Sequence, residues 1–184
     1  SNGNIYISNS EALSKVNSLK ESTFFIPLLD SEKPHESGNG IIGDLVHKHY
    51  FNKEQVDFHF KVDEEKLCKY KILVFVDDCI GSGSQLKKFW NSEPIQKIRT
   101  ICEKYGLKIY YLVLVGYNKN LETLKKENKV EGIEIVVCDL LSDKNRVFAD
   151  DNIIWNKEDG EREKAMVYFE GIKKTKGVSF VGFK

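Results

Sequence analysis

Residues 71–86 read KILVFVDDCIGSGSQL, and this stretch decides the fold. Residues 71–76 are almost wholly apolar and rich in β-branched side chains, the pattern of a strand covered on both faces. The run stops at two adjacent acids, Asp77 and Asp78, and a small hydroxyl-rich loop, Gly81-Ser82-Gly83-Ser84, follows. Adjacent carboxylates repel unless a cation or hydroxyl donors sit between them. A turn chosen only for flexibility accounts for the glycines and leaves the acids unexplained.

Outward from this stretch, strand-like and helical patterns alternate. Residues 23–29 (TFFIPLL) read as a first strand, and residues 40–51 (GIIGDLVHKHYF) space their apolar side chains for a helix. Residues 56–62 (VDFHFKV) alternate apolar and polar, which predicts a short half-exposed strand. After the glycine loop a helix is expected from residue 84, broken near Pro94, resumed to Tyr105 and stopped by Gly106. Residues 108–115 (KIYYLVLV) and 133–141 (IEIVVCDLL) read as further strands, with a short charged helix at 121–128 between them. Residues 157–173 place Ala165, Met166, Phe169 and Ile172 on one stripe of an amphipathic surface helix. Such alternation predicts an α/β fold, a mainly parallel sheet flanked by helices in a Rossmann-like arrangement. Ligands of these sheets bind beyond the carboxyl ends of the strands. Asp77 and Asp78 lie at one such end and Asp139, less cleanly, at another.

The chain has 184 residues, enough for one good-sized core, and a single domain spanning 1–184 is expected. Its 28 basic and 28 acidic residues cancel, which excludes a general pull toward nucleic acid or an acidic membrane; any bound anion must be held locally. Cys68, Cys79, Cys102 and Cys138 are widely spaced without a CxxC pair. They read as buried free thiols in a reducing, cytoplasmic compartment, not as a disulfide or zinc framework. No apolar segment approaches the ~18–20 residues that span a bilayer, and no signal peptide is expected at the start. Ser1-Asn2 fits a cleavage scar and the final VSFVGFK a strand cut short, so a domain excised from a longer protein is expected.

Several phosphate-binding patterns compete for the loop. A nucleotide P-loop needs a lysine inside GxxxxGK[ST], and none occurs before Lys87. A dinucleotide fingerprint needs GxGxxG, and GSGSQL lacks the third glycine. A response-regulator receiver opens with its acidic-pair strand, whereas two expected strands precede this one; the next buried strand ends in Val115-Gly116-Tyr117 without an acid. A ribose 5-phosphate fits best. The acids accept hydrogen bonds from the sugar hydroxyls and orient a hydrated Mg²⁺. The loop amides hold the phosphate, and Ser82 and Ser84 add hydroxyl donors.

VFVDDCIGSGSQ resembles the PRPP-binding motif of type I phosphoribosyltransferases, in which apolar residues precede two acids and a Thr/Ser/Gly loop. It is most similar to the phosphoribosyltransferase-like domains of bacterial conflict (antiphage defence) systems, which favour DD-x-x-GSG-x-Q. The resemblance implies a type I phosphoribosyltransferase-like fold with the site at the carboxyl edge of the sheet and a variable hood over the base. It implies that Asp77 and Asp78 meet the ribose hydroxyls in the catalytic position, and that the ligand-binding stretch, Cys79 included, wraps the 5-phosphate with Gly81, Ser82, Gly83, Ser84 and Gln85. It implies Mg²⁺ as a cofactor brought with PRPP and held through ligand and waters, not by direct protein ligation. Gln85 and Gly81 stand where the enzymes usually carry Thr.

A pyrophosphate loop after the first strand corresponds to Ser37, Gly38, Asn39 and Gly40, with Lys33 or His35 close by; the same residues also read as a plain loop and helix cap. The long closing loop of many family enzymes has only DEEKLCKY (residues 63–70) in its place, too short for a full lid. His47 and His49 fall on different sides of their helix, a poor metal geometry, and His59 reads as a surface residue. Trp155 reads as a core-edge plug or a base-stacking hood aromatic, Asp150-Asp151 as a turn, and LKKENK and NKEDGEREK as solvated faces. Two functions stand open. One is transfer of phosphoribosyl from PRPP to a base with pyrophosphate release. The other is a non-catalytic nucleotide-sensing or protein-interaction module that keeps the cradle, with other domains of a defence protein or a second copy as partners.

Overall fold

A strand that is apolar on both faces demands cover on both, and the strand at Ile72–Ile80 receives it. The computed structural model describes residues 8–28, 38–59, 61–126, 130–145, 148–149, 152, 155 and 160–176. In chain order these form α1 (Asn9–Glu21), β1 (Thr23–Pro27), α2 (Gly38–His47), a single 3₁₀ turn (Lys53–Gln55), α3 (Glu64–Leu67) and β2 (Ile72–Ile80). Next come α4 (Ser84–Trp90), α5 (Glu93–Tyr105), β3 (Lys108–Tyr117), α6 (Asn118–Lys126), β4 (Glu134–Leu141), a second 3₁₀ turn (Asp143–Asn145) and α7 (Glu161–Lys176). The sheet runs β1-β2-β3-β4, and β2 lies parallel to both neighbours, with Phe25 beside Val74 and Phe75 beside Tyr111. The expected α/β fold, a mainly parallel sheet flanked by helices, is therefore present.

Strand parity sorts the core. Phe24, Ile26, Leu73, Phe75, Tyr111 and Val113 project to one face, where Leu86, Trp90, Ile95, Ile98 and Cys102 of α4 and α5 and Leu121 and Leu124 of α6 cover them. Phe75 is met edge-on by Phe89 at 5.2 Å and by Trp90 at 6.3 Å. Phe25, Val74 and Val76 project to the other face, under Ile42 of α2 and beside Val56. Pro94 opens α5, and Gly106 ends it in the left-handed conformation at φ 67°, as their positions in the sequence predict.

The chain divides into two compact units, Ser1–Leu140 and Leu141–Lys184. Within the second, Phe148 stacks on Trp155 at 5.8 Å and meets Phe169 edge-on at 5.6 Å, while Arg162 Nε donates to the Phe148 carbonyl at 2.9 Å. Trp155 thus has an aromatic partner inside its own unit.

The strand expected at residues 56–62 is not formed among its described residues. Val56 makes one bridge to Phe25, and the Asp57 N–H donates to the Phe25 carbonyl. The Asp57 carboxylate then accepts the His59 N–H at 2.6 Å and turns the chain away. Gln55 anchors this segment instead, donating from Nε2 to the carbonyls of Lys20 and Thr23. Helix α1 was unexpected because it buries no residue and so carries little core periodicity. Its one sequence signal is Ser-x-x-Glu, and Ser8 Oγ does accept the Glu11 N–H at 3.2 Å. The cysteines are all free, but only Cys102 is buried; Cys68, Cys79 and Cys138 are exposed, against the expectation of buried thiols. Burial pushes the Cys102 thiol up to about 11. No described helix is long and apolar enough to cross a membrane.

Three positions in α2 and its exit allow direct tests. His49 follows the helix at φ 59°, with its own N–H on the Val46 carbonyl and the Tyr50 N–H on the Leu45 carbonyl, a left-handed helix stop that normally takes glycine. His49→Gly is expected to stabilise the fold by about 1 kcal/mol in urea unfolding, and His49→Val to destabilise it. At the other end, a Cβ on Gly38 would overlap the Val76 carbonyl, whereas a Cβ on Gly40 meets nothing within 4 Å. Gly38→Ala is therefore expected to cost about 1–3 kcal/mol, while Gly40→Ala is expected to gain about 0.5–1 kcal/mol by the same measurement.

Candidate functional site

Parity carries Asp77 inward with Leu73 and Phe75, and it is only 2% exposed. A buried carboxylate needs hydrogen-bond donors. Tyr111, itself 1% exposed, donates its hydroxyl to Asp77 Oδ2 at 2.6 Å, and the Asp78 N–H donates to Asp77 Oδ1 at 2.9 Å. Burial, then the neighbouring Asp77 carboxylate, holds the Tyr111 hydroxyl far above the ordinary tyrosine range, so it stays a donor. Beyond Asp77 the alternation breaks. Asp78 and Cys79 are both exposed, and Ile80 returns to the core. The two acids that the sequence treats as a pair thus occupy different environments. Local burial of the thiol, then the charges of Asp78 and Asp77, pushes the Cys79 pKa up.

The loop after β2 is tied into a small turn by its own hydroxyls. Ser82 Oγ donates to Ser84 Oγ at 3.0 Å and accepts the Ser84 N–H at 3.3 Å. Gly83 sits at φ 72°, and a Cβ there would collide with the Leu124 side chain. Asn120 Nδ2 donates to the Gly81 carbonyl at 3.0 Å. In a trans peptide the C=O and the following N–H point opposite ways, so Asn120 also fixes where the Ser82 N–H points. Gly81, Ser82, Ser84 and Gln85 are exposed and Gly83 is buried. Helix α6, which the sequence shows as a short charged helix, is the platform on which this loop rests.

Gly38 brings the third piece. It is buried against the Val76 carbonyl, beside the backbone nitrogen of Asp77. The start of α2, with Gly38, Asn39 and Gly40 in its first turn, therefore stands at the same end of β2 as the acids and the glycine loop. The first turn of a helix presents backbone N–H groups without intrahelical partners. Ser37, Lys33 and His35 lie outside the described residues, as do Asp150, Asp151 and the VSFVGFK tail. His47 and His49 are exposed at the far end of α2, and Asp139 is exposed within β4. His47 and His49 therefore do not join the cluster around Asp78.

Tyr111, Asn120 and Leu124 support the site and escape a reading of the sequence alone. Tyr111 looks like one of two strand tyrosines; the offset that pairs Phe75 with Tyr111 and Asp77 with Val113 is what makes it a diagonal neighbour of Asp77. Asn120 carries only the weak signal of a polar side chain in the first turn of a helix that follows a strand.

A family model described as PRTase-CE matches residues 5–184. A comparison with curated proteins gave no match. Among solved structures, that of the AQ2163 protein from Aquifex aeolicus is similar, at 20% identity and a TM-score of 0.37, over 67% of this chain. The chain spans 56% of the length of that protein. The family match runs through nearly the whole sequence and includes β2, the acids and the loop, so the chain belongs to the PRTase-CE family and is a phosphoribosyltransferase-like domain.

Proposed function

We propose that this domain binds PRPP, or a closely related ribose 5-phosphate ligand, as its Mg²⁺ complex at the carboxyl end of β2. The observation that carries the reading is the convergence of an exposed acid, an anchored glycine loop and a helix start on one strand end. The phosphate would lie against the amides of Ser82 to Gln85, with the Ser82 and Ser84 hydroxyls as further donors. Asp78 would accept from the ribose hydroxyls, and the start of α2 would face the pyrophosphate. The ion would arrive on the ligand and keep waters that Asp78 orders. When bound, Mg²⁺ neutralises the pyrophosphate and eases its departure.

If a base is also bound, the reaction is displacement of pyrophosphate at the anomeric carbon, with the protein positioning the reactants and stabilising charge. One observation favours a binding or sensing role over turnover. Residues 63–70 form α3 and its turn, which Glu64 ties to Lys104 and Tyr105 of α5. That stretch holds no loop able to close over the site and exclude water. A cytoplasmic setting, expected from the unpaired cysteines, and a role in bacterial defence, implied by the motif resemblance, belong to the same proposal.

Calorimetric titration with PRPP and Mg²⁺ is expected to show one site per chain. Asp78→Asn should weaken it at least about tenfold, the size of a lost charge-assisted hydrogen bond. Gly83→Ala should weaken it as well, by forcing the loop off Leu124. Absence of heat with the wild type, or unchanged heat in Asp78→Asn, contradicts the assignment. Pyrophosphate release across a panel of bases separates transfer from sensing: silence with every base, together with tight PRPP binding, favours the sensor.

A further inference from the structure

Asp77 and Tyr111 stand apart from the other polar contacts described in the first unit. Both are almost completely buried, they meet at 2.6 Å, and the remaining Asp77 oxygen is taken by the Asp78 amide. Replacing a buried polar pair by apolar residues of similar shape is often neutral or stabilising. Stability alone therefore gives no reason for the pair. Its geometry does. Tyr111 projects from β3 to the same face as Asp77, one step diagonally along the ladder, whereas Tyr110 projects to the opposite face. The hydroxyl fixes the carboxylate, and the carboxylate fixes the peptide that carries Asp78. Asp78, the next residue along β2, is exposed, whereas Leu73 to Asp77 are all buried.

We propose that Tyr111 and Asp77 are a buried positioning pair that sets the backbone of Asp78, and that Asp78 alone of the two acids touches the ligand. The second half rests on the ribose 5-phosphate reading above; the first half does not. The division predicts an unusual order of effects. Asparagine at 77 can still accept the Asp78 N–H and can donate its NH₂ to the Tyr111 oxygen, so Asp77→Asn preserves the arrangement without the charge. Alanine at 77 removes it.

Two measurements on the same variants decide the matter. In the ligand-free protein, NMR hydrogen exchange at the Asp78 amide is expected to speed up at least about tenfold in Tyr111→Phe and in Asp77→Ala, with Asp77→Asn near wild type. The amides of Val74 and Val76 should keep their protection, which a general loosening of the fold would not allow. In PRPP titrations with Mg²⁺, Asp77→Asn should stay within about threefold of wild type, while Asp77→Ala and Tyr111→Phe weaken binding about five- to tenfold and Asp78→Asn weakens it more. Asp78 exchange unchanged in Tyr111→Phe overturns the positioning pair, and Tyr111→Phe remains informative if Asp77→Ala does not fold. Loss of binding in Asp77→Asn equal to that in Asp78→Asn overturns the division of labour. If the wild type gives no heat, the ribose 5-phosphate reading fails, and with it the ligand role of Asp78. The exchange arm then decides the pair by itself, in favour if Asp78 exchange accelerates and against if it does not.

Discussion

A carboxylate buried at the end of an apolar strand must find its donors in the protein, and the strand end is organised around that need. Asp77 is sealed under the larger core and satisfied by Tyr111 from β3 and by the amide of its own successor. From the opposite face, Gly38 lets the start of α2 close onto the Val76 carbonyl. The last buried turn of β2 is thus gripped from both sides, by a hydrogen bond on one and by main-chain contact on the other. The chain from Asp78 onward therefore leaves the sheet from a fixed point.

The glycine loop inherits that fixed point and gains a second one from α6. Asn120 holds the Gly81 carbonyl, and the Leu124 side chain fills the space that a Cβ on Gly83 would need. Small residues here serve close approach to a neighbouring helix as much as conformational freedom. A loop whose amides are fixed before a ligand arrives loses less entropy on binding than one that must order itself. This is the link from packing to the proposed function: a phosphate cradle held by a core residue on one side and a surface helix on the other. The departures from the type I pattern at Gly81 and Gln85 remove hydroxyls but leave those amides in place.

Hydrophobic patterning made the sheet legible. Residues 23–29, 71–76, 108–115 and 133–141 each mark one of the four strands, and Pro94 and Gly106 mark where α5 starts and stops. Residues 56–62 misled because alternation describes which side chains are buried, not whether a ladder forms; Val56 is buried by one bridge and Asp57 then turns the chain. Helix α1 buries nothing, so only its Ser8–Glu11 cap could have announced it. The motif picked out the acids and the loop, and the structure places them together at the end of β2 and the start of α4. The motif could not distinguish Asp77 from Asp78, because adjacent residues differ in environment only once the strand's faces and the break in alternation are known. Nor could it name Tyr111 and Asn120, which lie 34 and 39 residues from their partners in the chain and meet them only through the parallel register and the position of α6.

The most direct test of this arrangement is a crystal structure with PRPP and Mg²⁺ bound. It should show the 5-phosphate on the amides of Ser82 to Gln85, with Asp78 within hydrogen-bonding distance of the ribose hydroxyls. Asp77 should remain buried against Tyr111. Ligand bound elsewhere, or Asp77 turned out of the core to meet the ribose, would contradict it.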